Sequence, residues 1–201
     1  MRVIGLTGGI ACGKSTIARY LSRQGAVIVD GDALSRELTA PGGIALPALR
    51  NAFGEGIFFP DGTLNRKALG QLVFSDEAQR QRLDDIMQPL LRTLILRDLE
   101  AARQSGAALC VLDMPLLFEK NLDALCDTVW CAWLPADLQI QRLMARDGLS
   151  QQEALARIAS QMPTDEKAAR SAVVIDTSGT IQYTESKLPA LLAAEQSHST
   201  V

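Results

Sequence analysis

Gly8-Gly9-Ile10-Ala11-Cys12-Gly13-Lys14-Ser15-Thr16 fits the pattern G-x-x-x-x-G-K-[ST] at every required position, and it follows the apolar run Val3-Ile4-Gly5-Leu6. Each residue type has a physical task. Gly8, Gly9 and Gly13 let the backbone curl, with Ala11 and Cys12 between them, so that successive N–H groups aim at one anion. The helix opening at Lys14, Ser15 and Thr16 adds its positive end. Lys14 supplies a mobile charge for β- and γ-phosphates, and the Ser15 hydroxyl is a hard oxygen ligand suited to magnesium. The chemistry is that of binding a nucleoside triphosphate, with ATP and Mg2+ as the expected pair.

Three further groups bear on the chemistry that a bound triphosphate would undergo. Val111-Leu112-Asp113 ends an apolar strand in an acid, the arrangement by which many phosphate-loop proteins hold magnesium directly or through water. Asp30-Gly31-Asp32 places two carboxylates at the end of a second apolar run, where one could take the proton of an acceptor hydroxyl. Equally, Asp32 could cap a helix starting at Ala33. Arg142 and Arg146 stand one helical turn apart and emerge on one face. They could clamp phosphate as a segment closes, or form a solvated face paired with Asp137 and Asp147. Asp113-Met114-Pro115 lacks the glycine of switch GTPases, and no Asn-Lys-x-Asp motif occurs. The single histidine, His198, lies in a polar tail, which excludes histidine triads and histidine metal sites. Cys12 at a helix start could be an activated thiol or simply a small residue.

The elements that position these groups follow from periodicity. Strands are predicted at 2–7, 26–30, 107–112, 128–134 and 172–176, nearly continuous apolar runs that suit a parallel sheet covered on both faces. Helices are predicted at 14–23, 34–38, 44–53, 65–74, 76–103, 136–146 and 181–194, with Pro89 expected to kink or split the fifth. Ser150 and Glu153 form an S-x-x-E capping box, so another helix runs from there to about residue 161, where Pro163 closes it. Residues 195–201 read as a frayed tail. Strands alternating with helices give a three-layer α/β P-loop fold, a five-stranded parallel sheet with ligands at the carboxyl ends of the strands, and a helical insertion after Asp32.

Composition narrows the class. A chain of 201 residues with 47 % hydrophobic content can bury one core with something attached. A net charge of −3 and 4 % aromatic residues argue against a nucleic-acid surface or a base-stacking platform. The first strand starts without a basic-apolar leader, and no apolar run approaches the roughly 20 residues of a membrane span, so a cytoplasmic protein off the membrane is expected. Cys12, Cys110, Cys126 and Cys131 show no Cys-x-x-Cys spacing and read as reduced thiols; Trp130 and Trp133 read as packing residues.

Taken together, Gly5-Leu6-Thr7-Gly8-Gly9-Ile10 through Thr16, Asp30-Gly31-Asp32, Asp61-Gly62-Thr63-Leu64-Asn65-Arg66, Asp113-Met114-Pro115-Leu116-Leu117-Phe118-Glu119, the run from Arg142 to Ser150, Gln161-Met162-Pro163 and Glu166-Lys167 resemble the dephospho-CoA kinases. The likeness extends to about Gly179. It implies a nucleoside monophosphate kinase-like core (1–31, 105–141, 165–201), a helical substrate region (32–104) and a small lid (142–164). It further implies transfer of the ATP γ-phosphoryl to the ribose 3′-hydroxyl of dephospho-CoA, the last step of coenzyme A synthesis. Asp32 then becomes the base toward that hydroxyl, with Lys14 and Arg142 acting on phosphate. Ser15 and Asp113 would serve the metal, and Arg66, Glu119 and Arg146 would lie toward the acceptor. The sequence permits a homo-oligomer. Three positions depart from the family pattern: Ala11-Cys12 for Gly-Ser, Gln88 before Pro89 for histidine, and Thr177 for an asparagine on the adenine side. Gln88 and Cys12 motivate a different class, a nucleotide-binding protein without transfer activity, and a kinase for another nucleoside is the related alternative.

Overall fold

The computed structural model describes residues 1–74 and 76–197. The chain divides into two compact units, Met1–Val29 with Ala101–Val201, and Asp30–Glu100.

The first unit is built on five strands: β1 (Arg2–Gly8), β2 (Val27–Asp30), β3 (Leu109–Asp113), β4 (Thr128–Trp133) and β5 (Val173–Asp176), in the order β2-β3-β1-β4-β5. The sheet is parallel. The register sets Leu6 beside Asp113, Gly8 beside Ala132 and Trp133 beside Asp176, so the carboxyl ends of four strands converge on one edge. β3 is buried at all five residues and β1 at six of seven, as central strands covered on both faces require. One covering layer includes α1 (Lys14–Arg23) and α9 (Ile181–Ser197), which bury Ile17, Leu21, Leu188 and Leu192 against Ile4, Val111 and Trp130. Trp130 is fully buried, as its packing role demands.

The second unit is helical: α2 (Gly31–Leu38), α3 (Leu46–Phe53), α4 (Arg66–Phe74) and most of α5 (Glu77–Gln104). Between α3 and α4 the chain makes a short 3-10 turn and an isolated antiparallel bridge, Phe58 to Leu64, with Arg50 stacked 3.9 Å above the Phe58 ring. The first unit completes itself with α6 (Ala136–Asp147), α7 (Gln151–Ala159) and α8 (Thr164–Arg170).

Four details differ from the sequence expectations. α5 is not split at Pro89; it runs 28 residues through it. α2 begins at Gly31, and its cap is Asp30, whose carboxylate accepts from Ala33 N at 3.0 Å; Asp32 therefore does not cap the helix, and 31–32 is not extended backbone. α8 has no apolar stripe to announce it, but Pro163 precedes its first turn, Asp165 and Glu166 lie in that turn and Lys167 and Arg170 in the last, all complementary to a helix dipole. Glu195 is not frayed: α9 carries it into the core, where it accepts from Arg2 Nε at 2.6 Å and Trp130 Nε1 at 3.1 Å. The capping box is as expected, with Ser150 and Glu153 bonding reciprocally at 3.3 and 2.8 Å. His198 lies outside the described residues.

Candidate active site

The loop from Gly8 to Gly13 is held by side chains from three other places in the first unit. Ile10 N donates to Gln161 Oε1 at 3.0 Å, and Ile10 O accepts from Gln139 Nε2 at 2.9 Å. Thr177 Oγ1 lies 2.9 Å from Cys12 O and 3.1 Å from Trp133 O. Gly9 is required by crowding: a Cβ there would sit 2.2 Å from Thr164 Oγ1 and 2.5 Å from Gln139 Nε2. Gly13 is required by geometry, since it caps α1 at φ 76° without offering a side-chain acceptor. Thr16 N is used within the turn, donating to Gly13 O at 3.0 Å, while the amides of Lys14 and Ser15 stand at the helix start, where donors suit an anion.

Lys14 forms an ion pair with Asp113, with side-chain exposures of 17 % and 11 %. Ser15, next on α1, is exposed. Ser15 and Asp113 are hard oxygen donors, and the described residues contain no cluster of three or more His, Cys, Asp or Glu able to cage a cation alone. That donor set fits magnesium, which binds through one or two protein oxygens and keeps phosphates and water as its remaining ligands.

Beside the loop lies a cleft of about 500 Å³ lined by Ala11, Gly13, Ser15, Thr16, both Arg142 and Arg146, and residues of the 177–184 segment. The two arginines differ. Arg142 NH2 donates to the carbonyls of Thr177 at 2.8 Å and Ser178 at 3.2 Å, which fixes its guanidinium at the cleft wall. Arg146 is exposed and bonds its neighbour Asp147 through two nitrogens at 2.7 and 3.0 Å. This partner draws the Asp147 carboxyl below its ordinary value.

Glu119 sits in a second buried network. Its Oε1 accepts from Met162 N at 3.0 Å and pairs with Lys167 Nζ at 2.8 Å, and Lys167 also donates to Pro115 O at 2.5 Å. Glu119 Oε2 is buried with no partner among the described residues. Lys167 is fully buried. In the second unit, Asp32 is exposed and makes no side-chain hydrogen bond or ion pair among the described residues, while Arg66 NH2 donates to Thr39 Oγ1 at 2.5 Å. The structure therefore gathers Gly8 to Thr16, Asp113, Arg142 and Arg146 at one edge of the sheet; Asp32 and Arg66 belong to the other unit.

The family model for dephospho-CoA kinase matches residues 2–183. The chain belongs to the dephospho-CoA kinase family. A dephospho-CoA kinase of Geobacter sulfurreducens is 47 % identical over 193 residues, covering 96 % of this chain and 98 % of that protein. Among solved structures, TT1252 from Thermus thermophilus superposes with a TM-score of 0.82 at 36 % identity, covering 96 % of this chain and 97 % of that one. A dephospho-CoA kinase from Campylobacter jejuni shares the fold, with a TM-score of 0.73 at 23 % identity over the whole of both chains.

Against the pattern of the dephospho-CoA kinases, the three departures now have positions. Ala11 adopts φ 62°, a left-handed conformation that a residue with a Cβ enters at a cost. Cys12 is 1 % exposed and its thiol is pushed up in pKa, chiefly by burial, with hydrogen bonding from Thr164 opposing; it is a small packing residue rather than an activated thiol. Thr177 braces the loop from below through Cys12 O. Gln88 lies half-buried on α5. Sequence reasoning assigned no role to Gln139, Gln161 or Lys167. The one signal in the chain was that Gln161 and Lys167 fall inside the family-matching blocks.

Proposed function

We propose that the chain transfers the γ-phosphoryl group of ATP to the ribose 3′-hydroxyl of dephospho-CoA, giving coenzyme A and ADP. The observation that carries this reading is the phosphate loop with Lys14 paired to Asp113, in a chain whose family is dephospho-CoA kinase. Phosphoryl transfer asks little covalent chemistry of the protein; it asks for positioning and for charge placed where the transition state spreads its own.

The amides of residues 13–15 and the Lys14 ammonium grip the β- and γ-phosphates. An ammonium has three donors, so Lys14 can serve a phosphate oxygen while keeping Asp113. Ser15 and Asp113 would hold magnesium, which supplies charge neutralisation on the phosphate oxygens. The cleft lined by Arg142 and the 177–184 segment takes the nucleotide, and Arg142 stabilises charge on the transferring group. Asp32 accepts the proton of the 3′-hydroxyl; its lack of any other partner supports the assignment, because a base needs an unused lone pair. Arg66, Arg146 and Glu119 bind the acceptor, with the unpartnered Glu119 Oε2 as the available oxygen. Residues 142–164 act as the lid and 32–104 as the acceptor region of a P-loop domain that works in the cytoplasm. Among the described residues no helix is long and apolar enough to cross a membrane.

The test is ATP-dependent mass gain on purified dephospho-CoA, with nucleosides as alternative acceptors and Lys14→Ala as control. Phosphorylation of dephospho-CoA that Lys14→Ala abolishes is the expected result. Transfer to nucleosides alone, or ATP binding with no transfer to any acceptor, would contradict the proposal.

A further inference from the structure

We infer that Gln161 and Gln139 are positioning residues for ATP: together they clamp Ile10 at its N–H and its carbonyl and so hold the phosphate loop in the curl that Ala11 resists. The inference rests on the ATP site proposed above and concerns how that site keeps its shape.

Both polar atoms of Ile10 are taken by side chains far away in sequence. Its N–H goes to Gln161, in the segment leaving α7, and its carbonyl receives the Gln139 amide from α6. Gln139 is itself 3 % exposed, and its Oε1 lies 3.5 Å from Thr164 Oγ1, so its amide orientation is fixed from the opposite end. Thr164 also approaches Cys12 Sγ at 3.9 Å. The next residue, Ala11, carries the only left-handed φ besides Asn121 among the described non-glycine residues. A backbone strained at one residue persists when its neighbours are over-determined. Here the residue before Ala11 is bonded at both its N–H and its carbonyl, so the peptide on each side of Ile10 is held, and the carbonyl after Ala11, on Cys12, is bonded by Thr177.

The clamp also has a consequence for the lid. Gln161 lies in the 142–164 segment, and Met162 N is tied to Glu119. Any displacement of residues 161–162 that breaks these bonds releases the Ile10 amide and loosens the loop. Occupancy of the phosphate site and the resting position of residues 161–162 are therefore coupled.

The test is titration of ATP by calorimetry in magnesium buffer, a readout independent of the acceptor, together with steady-state kinetics. Gln161→Met keeps length and loses the acceptor. It is expected to weaken ATP binding about tenfold, as for a buried donor left unpaired, with KM for dephospho-CoA within about twofold and kcat less affected than ATP affinity. Ala11→Gly removes the strain, so in that background the loss from Gln161→Met is expected to shrink to about threefold or less, a coupling that a purely structural role would not generate. Gln161→Ala provides the same comparison should the methionine disturb packing. An unchanged ATP affinity in folded Gln161 variants, or an equal loss with and without Ala11→Gly, would overturn the inference. Failure of the wild-type protein to bind ATP would instead overturn the proposed function.

Discussion

The turn after β1 and the turn after β2 both lead from a strand of the same sheet into a helix, yet they treat their polar groups in opposite ways. After β1, the Ile10 amide and carbonyl and the Cys12 carbonyl are all bonded by side chains from elsewhere in the first unit. After β2, Asp30 is used locally to cap α2, and Asp32, two residues on, is left without a partner among the described residues. A site that binds a fixed anion gains from amides whose direction is already set, because no reorganisation is then needed on binding. A group that must receive a proton gains from the reverse. On the proposed reading, grip and proton transfer fall to different turns, and single substitutions should separate them.

The largest effect is expected at the grip. Lys14→Ala should lower kcat/KM about a thousandfold, measured by phosphate transfer to dephospho-CoA, and should weaken ATP binding at the same time. Next, Asp32→Asn should lower kcat by roughly a hundredfold or more while ATP affinity stays within about twofold. Asp30→Ala should do the converse, costing about 1 kcal/mol of stability through the lost cap with a far smaller effect on kcat, as read from urea midpoints beside rates. If Asp32→Asn weakened ATP binding as strongly as turnover, the division between the two turns would fail.

The arginines sharpen the same contrast. Arg142→Ala should lower kcat about a hundredfold, because its guanidinium is fixed at the cleft wall by two carbonyls. Arg146→Ala, exposed and already satisfied by Asp147, should cost about tenfold or less; steady-state rates of the two variants decide. In the second network, Lys167→Met leaves Glu119 without its ammonium and should destabilise the fold by about 3 kcal/mol, seen as a lowered denaturation midpoint.

The last effect concerns pH and is read in stability alone. Cys126 and Cys131 are raised from the ordinary thiol value of 9.0 to about 12, chiefly by burial. Thiols that stay protonated longer in the folded state than in the unfolded one contribute stability that is complete below about pH 9 and lost as pH rises toward 12. Urea midpoints should therefore fall between pH 8 and pH 11, with each thiol costing on the order of 1 kcal/mol for every pH step above about 9, and Cys131→Ala should flatten that fall.

Much of this was legible in the sequence where local chemistry and global position agree. The phosphate loop, the five apolar strands and the Ser150–Glu153 box each carry their signal within a few residues. What was hidden depends on partners far apart in the chain. Nothing around Lys167 announces a fully buried lysine; its burial depends on Glu119 and Pro115, both remote in sequence. Glu195 reads as part of a polar tail until Trp130 and Arg2 are brought beside it. Asp30 and Asp32 have equal capping propensity by type, and only the path of the chain at Gly31 gives the cap of α2 to Asp30 and leaves Asp32 out of it. Gln139 and Gln161 are ordinary polar residues by type, and their role exists only because α6 and the segment leaving α7 bring them to one residue of the loop, Ile10.

Whether grip and proton transfer are divided between the two turns is decided most directly by a crystal structure of the protein with dephospho-CoA and a non-hydrolysable ATP analogue. The terminal phosphate should lie against the amides of residues 13–15 and the Lys14 ammonium, with the acceptor's 3′-oxygen within hydrogen-bond reach of the Asp32 carboxylate. A terminal phosphate bound elsewhere, or a ribose hydroxyl beyond the reach of Asp32, would refute that division.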